Sequence, residues 1–512
     1  MNIFDIILII FFLDISLSIL RHVYFYQLKE YRFDKIKSAF LYEGQFSKYF
    51  SVYRIYLYIT VLLTFALGSH YFIYSLILSF LYNLSNSLKS GFLRPKFSFK
   101  AILICVFSFF SLSNFFLFNG SDFSMQLVYL LLPFSVLIPV VILKPITYIA
   151  KILKVKKAQK FLKTNYPDIT IIGITGSYGK SSTKEFVKKL TTSLHSVAIP
   201  GNINTEIGVS RFVLKKLPKD CKVLIVEMGA YTKNEIKKIT KVTPPDIAIV
   251  TAVDKMHLSL FKNIENIYHA KSEIIDGLKT SGTAFFCLEN TNIDKFLKFL
   301  HKKHPLDKRF LTTSKDKKSD YPYSYFNKQN THNLAINGDN LKFKLEFEYL
   351  IPNLILAILT AYQLGLNKKE IQKQLDGIST CSLNIDIFEN SKNQTIINDS
   401  YNSNLKGFAH IIDFASKHDA NKKILINSGL KELGSETKAI QSELYLQAAN
   451  VFDEIILSDK HLKKYIPKKH KDKFKIINNP KKLTLEIESF PKDALVVVEG
   501  RTFNTVIPLL KK

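Results

Sequence analysis

Hydrophobic and polar positions divide the chain into two parts of different kind. Up to about residue 150, apolar residues come in long runs at 3–20, 52–68, 70–86, 101–119 and 126–147. Several of these approach the ~20 residues that carry a helix across a bilayer, and their repetition is not explained by a removable signal peptide. Beyond residue 165 the apolar runs become short and β-branched, at Thr170–Ile174, Val223–Val226, Ile247–Val250 and Ala284–Leu288. Helical segments at 181–194, 232–241 and 265–279 lie between them. Such alternation predicts a mostly parallel sheet with helices on both faces. A Lys-rich polar stretch at 302–340 shows little periodicity and reads as an elaborated surface region, and Leu354–Leu364 reads as an apolar helix. A second alternating series follows at Thr395–Ile397, Ile424–Ile426, Glu454–Leu457, Phe474–Ile477 and Leu495–Val498, which predicts a separate Rossmann-like domain of five strands. It has no Gly-x-Gly-x-x-Gly run, so a nicotinamide cofactor is not expected.

Charge orients the first part. The segments after the first run and before the fourth carry Arg21, Lys29, Arg32, Lys35, Lys37 and Lys48, then Lys89, Arg94, Lys96 and Lys100. After the fifth come Lys144, Lys151, Lys154, Lys156, Lys157, Lys160 and Lys163, whereas the alternate connections at 68–70 and 119–122 hold no Lys or Arg. These basic segments read as loops, and by the positive-inside rule they face the cytoplasm. Five spans in a lipid bilayer then leave the N-terminus outside and everything after about residue 150 inside. Asp5 and Asp14 fall within the first span, where carboxylates are costly and often functional. The whole chain has a net charge of +28, from 71 Lys+Arg against 43 Asp+Glu. The basic residues are scattered and no nucleic-acid module accompanies them, so no nucleic-acid partner is expected. Cys105, Cys221, Cys287 and Cys381 lie far apart in sequence and read as free thiols in a reducing compartment.

The chemistry begins at residues 173–183, Gly-Ile-Thr-Gly-Ser-Tyr-Gly-Lys-Ser-Ser-Thr, directly after an apolar run. A strand delivering a glycine-rich turn to a helix is a phosphate-binding loop. Its backbone N–H groups converge on phosphate oxygens, and the helix adds the positive end of its dipole. Gly176, Ser177, Gly179, Lys180, Ser181 and Ser182 are the expected nucleotide contacts. Lys180 bridges the terminal phosphates and the Ser181 hydroxyl holds Mg²⁺. The strict spacing wants glycine at 174, where this chain has Ile174. Glu227 ends a later strand and is a second oxygen ligand suited to Mg²⁺.

Further motifs follow in order: Gly201-Asn202-Ile203-Asn204-Thr205-Glu206, Val226-Glu227-Met228-Gly229, Thr251-Ala252-Val253 leading to His257, and Ala270-Lys271-Ser272-Glu273. Then come Leu288-Glu289-Asn290, Asn398-Asp399-Ser400-Tyr401-Asn402-Ser403-Asn404 and Leu430-Lys431-Glu432-Leu433-Gly434. The series resembles the Mur ligases, ATP-dependent amide-forming enzymes of peptidoglycan precursor synthesis. Over about residues 165–512 it is most similar to their D-alanyl-D-alanine-adding branch. Behind the N-terminal helical membrane domain (1–150) read from the apolar runs, the resemblance implies an α/β fold of a P-loop parallel-sheet ATPase domain (164–378) and a C-terminal Rossmann-like domain (379–512). It implies ATP and Mg²⁺ as cofactors, with UDP-MurNAc-peptide and D-Ala-D-Ala as substrates. The place is the bacterial inner membrane, multi-pass with the catalytic domains cytoplasmic, beside cell-wall assembly proteins. By resemblance His257 helps hold a second Mg²⁺, and Lys271 is carbamylated and contacts metal. Catalysis then falls to Lys180, Lys271 and His257, and the metal set is Ser181, Glu227, His257 and Lys271. Asn290 lies near the adenine and Asp399 near the ribose and phosphates. Asn202, Asn204, Asn402 and Asn404 are expected to meet substrate.

The pattern also departs from the family. Asn353 matches, but Tyr349 and Leu350 stand where His-Asn is usual, Asn384 where arginine is common, and Leu405 where proline is common. Glu499-Gly500-Arg501 replaces Lys-Gly-Ser. Membrane helices stand in place of the uridine-nucleotide-binding domain. Two other readings therefore stay open: a related amino-acid or polyamide ligase with another substrate, and a degenerate nucleotide-binding membrane scaffold.

Overall fold

The computed structural model describes residues 2–42, 59, 70–90, 94–119, 122–201, 203–305, 309–328, 331–345, 347–378, 386–400, 405–430, 433–500 and 506–511. Contacts divide the chain into two units, Met1–Ile152 and Leu153–Lys512.

The first unit is helical, with helices Ile3–Leu28, Phe33–Tyr42, His70–Ser90 and Phe99–Asn119, and the beginning of Asp122–Asn165. Residues four apart share a helix face, and stripes of that spacing form the core: Phe11, Ile15, Ile19 and Val23 on one helix, Val128, Leu132, Val136 and Val140 on another. The opposite faces expose large apolar side chains, among them Phe110 at 67% and Phe118 at 87%. Among the described residues three helices, Asp5–Leu28, Phe99–Phe118 and Leu127–Asn165, are long and apolar enough to cross a membrane. The expected run at 70–86 lies in helix His70–Ser90, and all but Ile59 of the run at 52–68 lies outside the described residues. The basic segment after the fifth run is not a loop. It continues the same helix to Asn165 because its lysines and alanines are good helix formers.

Asp5 and Asp14 separate in role. The Asp5 carboxylate accepts the Asn2 N–H at 2.8 Å and closes a capping box at the helix start. Asp14 is fully buried. Its Oδ1 accepts a hydrogen bond from Asn83 Nδ2 at 2.7 Å, and its Oδ2 accepts from Ser79 Oγ at 2.7 Å and Tyr129 OH at 2.8 Å. The carboxylate thus joins three helices, and Asn83 adds a buried contact to Ser18 Oγ at 3.4 Å.

The second unit holds two sheets. The first has the order β2-β3-β1-β4-β5-β6-β7-β8-β9. Its members are β1 (Thr170–Thr175), β2 (Ser196–Ala198), β3 (Val223–Glu227), β4 (Ile247–Val250), β5 (Thr283–Cys287), β6 (Arg309–Ser314), β7 (Tyr321–Lys328), β8 (Thr331–Ile336) and β9 (Asp339–Phe343). All pairings from β2 through β7 are parallel, and β7–β8 and β8–β9 are antiparallel. The stretch at 302–340 is therefore largely sheet rather than surface elaboration. Only one side of its strands is covered, by Tyr323, Leu334, Ile336, Leu341 and Phe343, so lysines and asparagines on the open side hide the alternation.

The second sheet has the order β10-β11-β15-β12-β13-β14. The five expected strands are β11 (Thr395–Asp399), β12 (Lys423–Asn427), β13 (Glu454–Leu457), β14 (Phe474–Ile476) and β15 (Leu495–Glu499). They are joined by β10 (Asp386–Glu389), antiparallel to β11 at the edge. Helix Ile351–Gln363 packs against helix Lys180–Leu190 and is buried along most of its length. It therefore fixes the angle at which the glycine loop leaves β1. The fold is α/β, with an N-terminal helical region ahead of two parallel-rich sheets.

Replacing Asp14 by alanine leaves the Asn83, Ser79 and Tyr129 donors without their acceptor. Each stranded donor costs about 1–3 kcal/mol. Titration of the full-length protein from mild detergent into SDS, followed by helicity, should show a destabilised helical unit for Asp14→Ala. Asp14→Asn, which keeps an acceptor, should fall between that variant and wild type.

Candidate functional site

The glycine loop is shaped by two contacts that exclude side chains. At Gly176 (φ +152°) a Cβ would lie 2.0 Å from Thr251 Oγ1, and at Gly179 (φ +79°) it would lie 2.7 Å from Asn353 Nδ2. Ile174 is not part of this turn. It is a fully buried residue of β1, so the glycine that strict spacing wants there has no conformational task. The loop is tied to the end of β4: Ser177 N–H donates to Ala252 O at 2.7 Å, and Asp254 N–H donates to Ser177 Oγ at 2.9 Å. Thr251 Oγ1 donates to Tyr178 O. The helix begins at Lys180, which leaves the first-turn N–H groups at Lys180, Ser181 and Ser182 facing the loop's hollow.

Charged groups gather at the ends of β1 and β3. Lys180 Nζ donates to Gly176 O at 2.8 Å and Ser177 O at 3.1 Å. Burial lowers its pKa below the usual lysine value, opposed by the Glu227 charge. Glu227 is 3% exposed, and its Oε2 accepts Ser181 Oγ at 3.0 Å. Lys184, one turn further along the same helix and also buried, stands 3.5 Å from the same oxygen. Lys271 is buried on helix Ile264–Asp276. Burial first, and then the positive charge of Lys180, pull its pKa down to about 7, against the attraction of Glu235, Glu273 and Glu227. Both outer carboxylates are engaged with backbone: Glu235 accepts Tyr231 N–H at 2.6 Å and Glu273 accepts Lys237 N–H at 3.0 Å. His257 begins a short helix in the left-handed conformation, with its ring edge-on to Tyr231 at 4.6 Å.

The structure therefore brings Lys180, Ser181, Glu227 and Lys271 into one electrostatic cluster, with His257 against Tyr231 on an adjacent loop. Among the described residues no group of three His, Cys, Asp or Glu side chains forms a metal cage. The Ser181–Glu227 oxygen pair is the donor set that fits a hard divalent cation. Asn290 follows β5, and its buried Nδ2 has no hydrogen-bond partner among the described residues, as suits a donor to a base. The Asn204 side chain lies against Gly229, two residues past Glu227. Asn202, Asn402 and Asn404 lie outside the described residues, as does Asn384.

Asp399 ends β11 directly opposite Glu499 on β15. Both are buried. Burial pushes the Asp399 carboxyl up to about 7, and a hydrogen bond with Glu499 partly offsets the rise. Tyr349, stacked on His410 at 4.5 Å, faces this pair, and its hydroxyl is pushed up by burial and by both carboxylates. Contacts between the two sheet domains flank the site: Lys406 Nζ sits over the Tyr178 ring at 5.5 Å, and Lys255 pairs with Glu436 at 2.9 Å.

Sequence reasoning missed Lys184, Glu235, Tyr231 and Tyr349 as site residues. A lysine on a helix reads as a solvated face. For Lys184 the available signal was its position one turn after Lys180, on the buried side of the helix.

Because Asp399 has a raised pKa in the fold, the folded state binds a proton that the unfolded chain has released above its ordinary value of 3.8. Stability from this group is complete below about pH 4 and is lost as pH rises towards about 7. Chemical denaturation at pH 5 and pH 8 should show that decline in wild type, and Asp399→Asn should flatten it.

Comparison with known proteins follows this geometry. Residues 174–361 match the Mur ligase middle domain. The UDP-N-acetylmuramoyl-tripeptide–D-alanyl-D-alanine ligase of Bacillus subtilis is 25% identical over 279 residues, covering 53% of this chain and 59% of that protein. The Haemophilus influenzae ligase of the same name is 26% identical over 302 residues, covering 55% and 62%. The chain thus spans about three fifths of the length of these curated relatives. In fold it is similar to MurF from Acinetobacter baumannii, with a TM-score of 0.59, 19% identity and coverage of 70% of this chain and 79% of that one. It is likewise similar to MurF ligase from Thermotoga maritima in complex with ADP, with a TM-score of 0.58, 23% identity and coverage of 70% and 82%. Residues 174–361 thus carry a Mur ligase middle domain, and the chain is similar to MurF-like Mur ligases in sequence over about half its length and in fold over its larger part.

Proposed function

We propose that this chain is an ATP-dependent amide ligase of peptidoglycan precursor synthesis that adds D-Ala-D-Ala to UDP-MurNAc-tripeptide. The observation that carries the reading is the cluster of Lys180, Ser181, Glu227 and Lys271 around a glycine loop at the ends of β1 and β3. The names of the curated relatives point the same way.

An amide cannot form from a free carboxylate at neutral pH without activation. Transfer of the γ-phosphoryl group from ATP gives an acyl phosphate and ADP, and attack by the amine then expels phosphate. The chain's part is to hold reacting groups in line and to meet developing charge. Loop N–H groups and Lys180 bind the phosphates, while Asn290 offers its side-chain N–H to the base. Ser181 and Glu227 would hold Mg²⁺, which would supply further positive charge to phosphate oxygens. Lys271, with its pKa near 7, is neutral in a large fraction of molecules at neutral pH. That is the form able to add CO₂ and lose a proton to become a carbamate. Asn204, against the strand end that carries Glu227, is placed to contact the acyl donor.

The membrane reading rests on the three long apolar helices of the first unit and on the lysine bias of the segments between runs. It puts the catalytic unit at the cytoplasmic face of the bacterial inner membrane, near lipid-linked cell-wall assembly and the proteins that carry it out. A second reading keeps the chemistry and changes the acceptor. The buried Glu499 carboxyl, standing where the family pattern has lysine, favours it.

Phosphate release by the purified full-length protein should require both UDP-MurNAc-tripeptide and D-Ala-D-Ala. Release driven better by another amino acid or dipeptide selects the second reading. Lys180→Ala should lower turnover by well over tenfold, and near-normal release from that variant would sink the ligase assignment. In fractionated cells the full chain should stay in the pellet after alkaline carbonate extraction. Its appearance in the supernatant would remove the membrane reading.

A further inference from the structure

Lys184 has no part in the reading above, yet it is among the most completely buried charges in the second unit, at 2% exposure. A lysine ammonium taken out of water is expensive unless it is paired, and hydrophobic packing alone would be met by leucine or methionine. Its Nζ donates to the Gly201 carbonyl at 2.9 Å and stands 3.5 Å from Glu227 Oε2, with Glu185 at 3.9 Å. Gly201 belongs to no helix or strand. It sits at φ +60° in the connection between β2 and helix Glu206–Lys216. That connection is held at its start by Ile199 N–H donating to Ile225 O at 3.0 Å. At its far end the Asn204 side chain lies against Gly229, and Thr205 caps the next helix. Between these anchors, the Lys184 ammonium is the side-chain contact to the connection seen among the described residues.

We propose that Lys184 is a positioning residue that ties the 199–205 connection to the helix and carboxylate of the nucleotide site. Its stem leaves the helix that begins at Lys180, and its charge reaches both the Glu227 carboxylate and the connection's carbonyl. One ammonium therefore fixes the distance between the groups that meet ATP and the segment carrying Asn204. Among the described residues Lys184 has no contact with the loop N–H groups or with Lys180's carbonyl partners. Its link to the ATP side is the longer one, 3.5 Å to Glu227 against 2.9 Å to Gly201, so its loss weighs more on donor placement than on phosphate binding. The role in catalysis rests on the ligase reading; the tether itself does not.

The test uses full-length protein in mild detergent, with Lys184→Met and Lys184→Arg. Without any ligand, amide hydrogen exchange in the peptide covering 199–205 should be about tenfold faster in Lys184→Met. Lys184→Arg should restore most of the protection. In turnover, Lys184→Met should raise KM for UDP-MurNAc-tripeptide about fivefold or more while KM for ATP stays within about twofold. Unchanged exchange in a folded Lys184→Met protein overturns the tether. A rise in KM for ATP equal to that for the donor overturns the positioning role. Should Lys184→Met fail to fold, Lys184→Gln, which keeps a polar tip, gives the same comparison. Faster exchange in Lys184→Met alongside normal phosphate release by Lys180→Ala would leave the tether standing and remove the ligase reading.

Discussion

Negative charge buried at the end of a parallel strand has to be met within the protein, because water no longer meets it. Glu227 is such a charge, and its partners Ser181 and Lys184 come from successive turns of one helix. That helix starts where the glycine loop stops, so the element that meets the carboxylate also carries the end of the loop. The loop is held from other sides too: it passes so close to Thr251, just after β4, and to Asn353, on helix Ile351–Gln363, that no Cβ fits at Gly176 or Gly179.

The second sheet meets the same problem differently. Asp399 and Glu499 are opposite one another on adjacent parallel strands, and burial raises the Asp399 carboxyl to about 7. Glu227 at the end of β3 has a lysine beside it, whereas Asp399 at the end of β11 takes up a proton as pH falls. The two sheets therefore carry their buried carboxylates in ways that respond differently to pH. Tyr349, set against the carboxyl pair and stacked on His410, links the end of the first sheet domain to the titrating side.

What was legible beforehand follows from how many constraints each element carried. Strands β1, β3, β4 and β5 are buried on both faces, so their apolar runs had to be unbroken and could be read directly. The phosphate loop was legible because a strand, two positive-φ glycines and a helix start must coincide in a few residues. Strands β7 to β9 were not legible, since one open face admits Lys, Asn and Tyr freely and dilutes the alternation. The helix to Asn165 was also misjudged, because dense lysine looks like a loop even where its helix propensity is good. Lys271 stood out only through its place in a series of motifs. Lys184 did not stand out at all, since burial of a charged side chain is set by the strands and loops that close over it, which lie far away in sequence.

The aspartate in the first helix has a consequence in time rather than in energy. Asp14 finds its partners 65, 69 and 115 residues later in the chain. During synthesis it is made long before these three donors, the last of which, Tyr129, emerges 115 residues after it. These three hydrogen bonds are therefore complete only once that residue has been made. Docking of the helix that contains Tyr129 then closes the bundle. The order of assembly of this unit is thus written into one residue near its beginning.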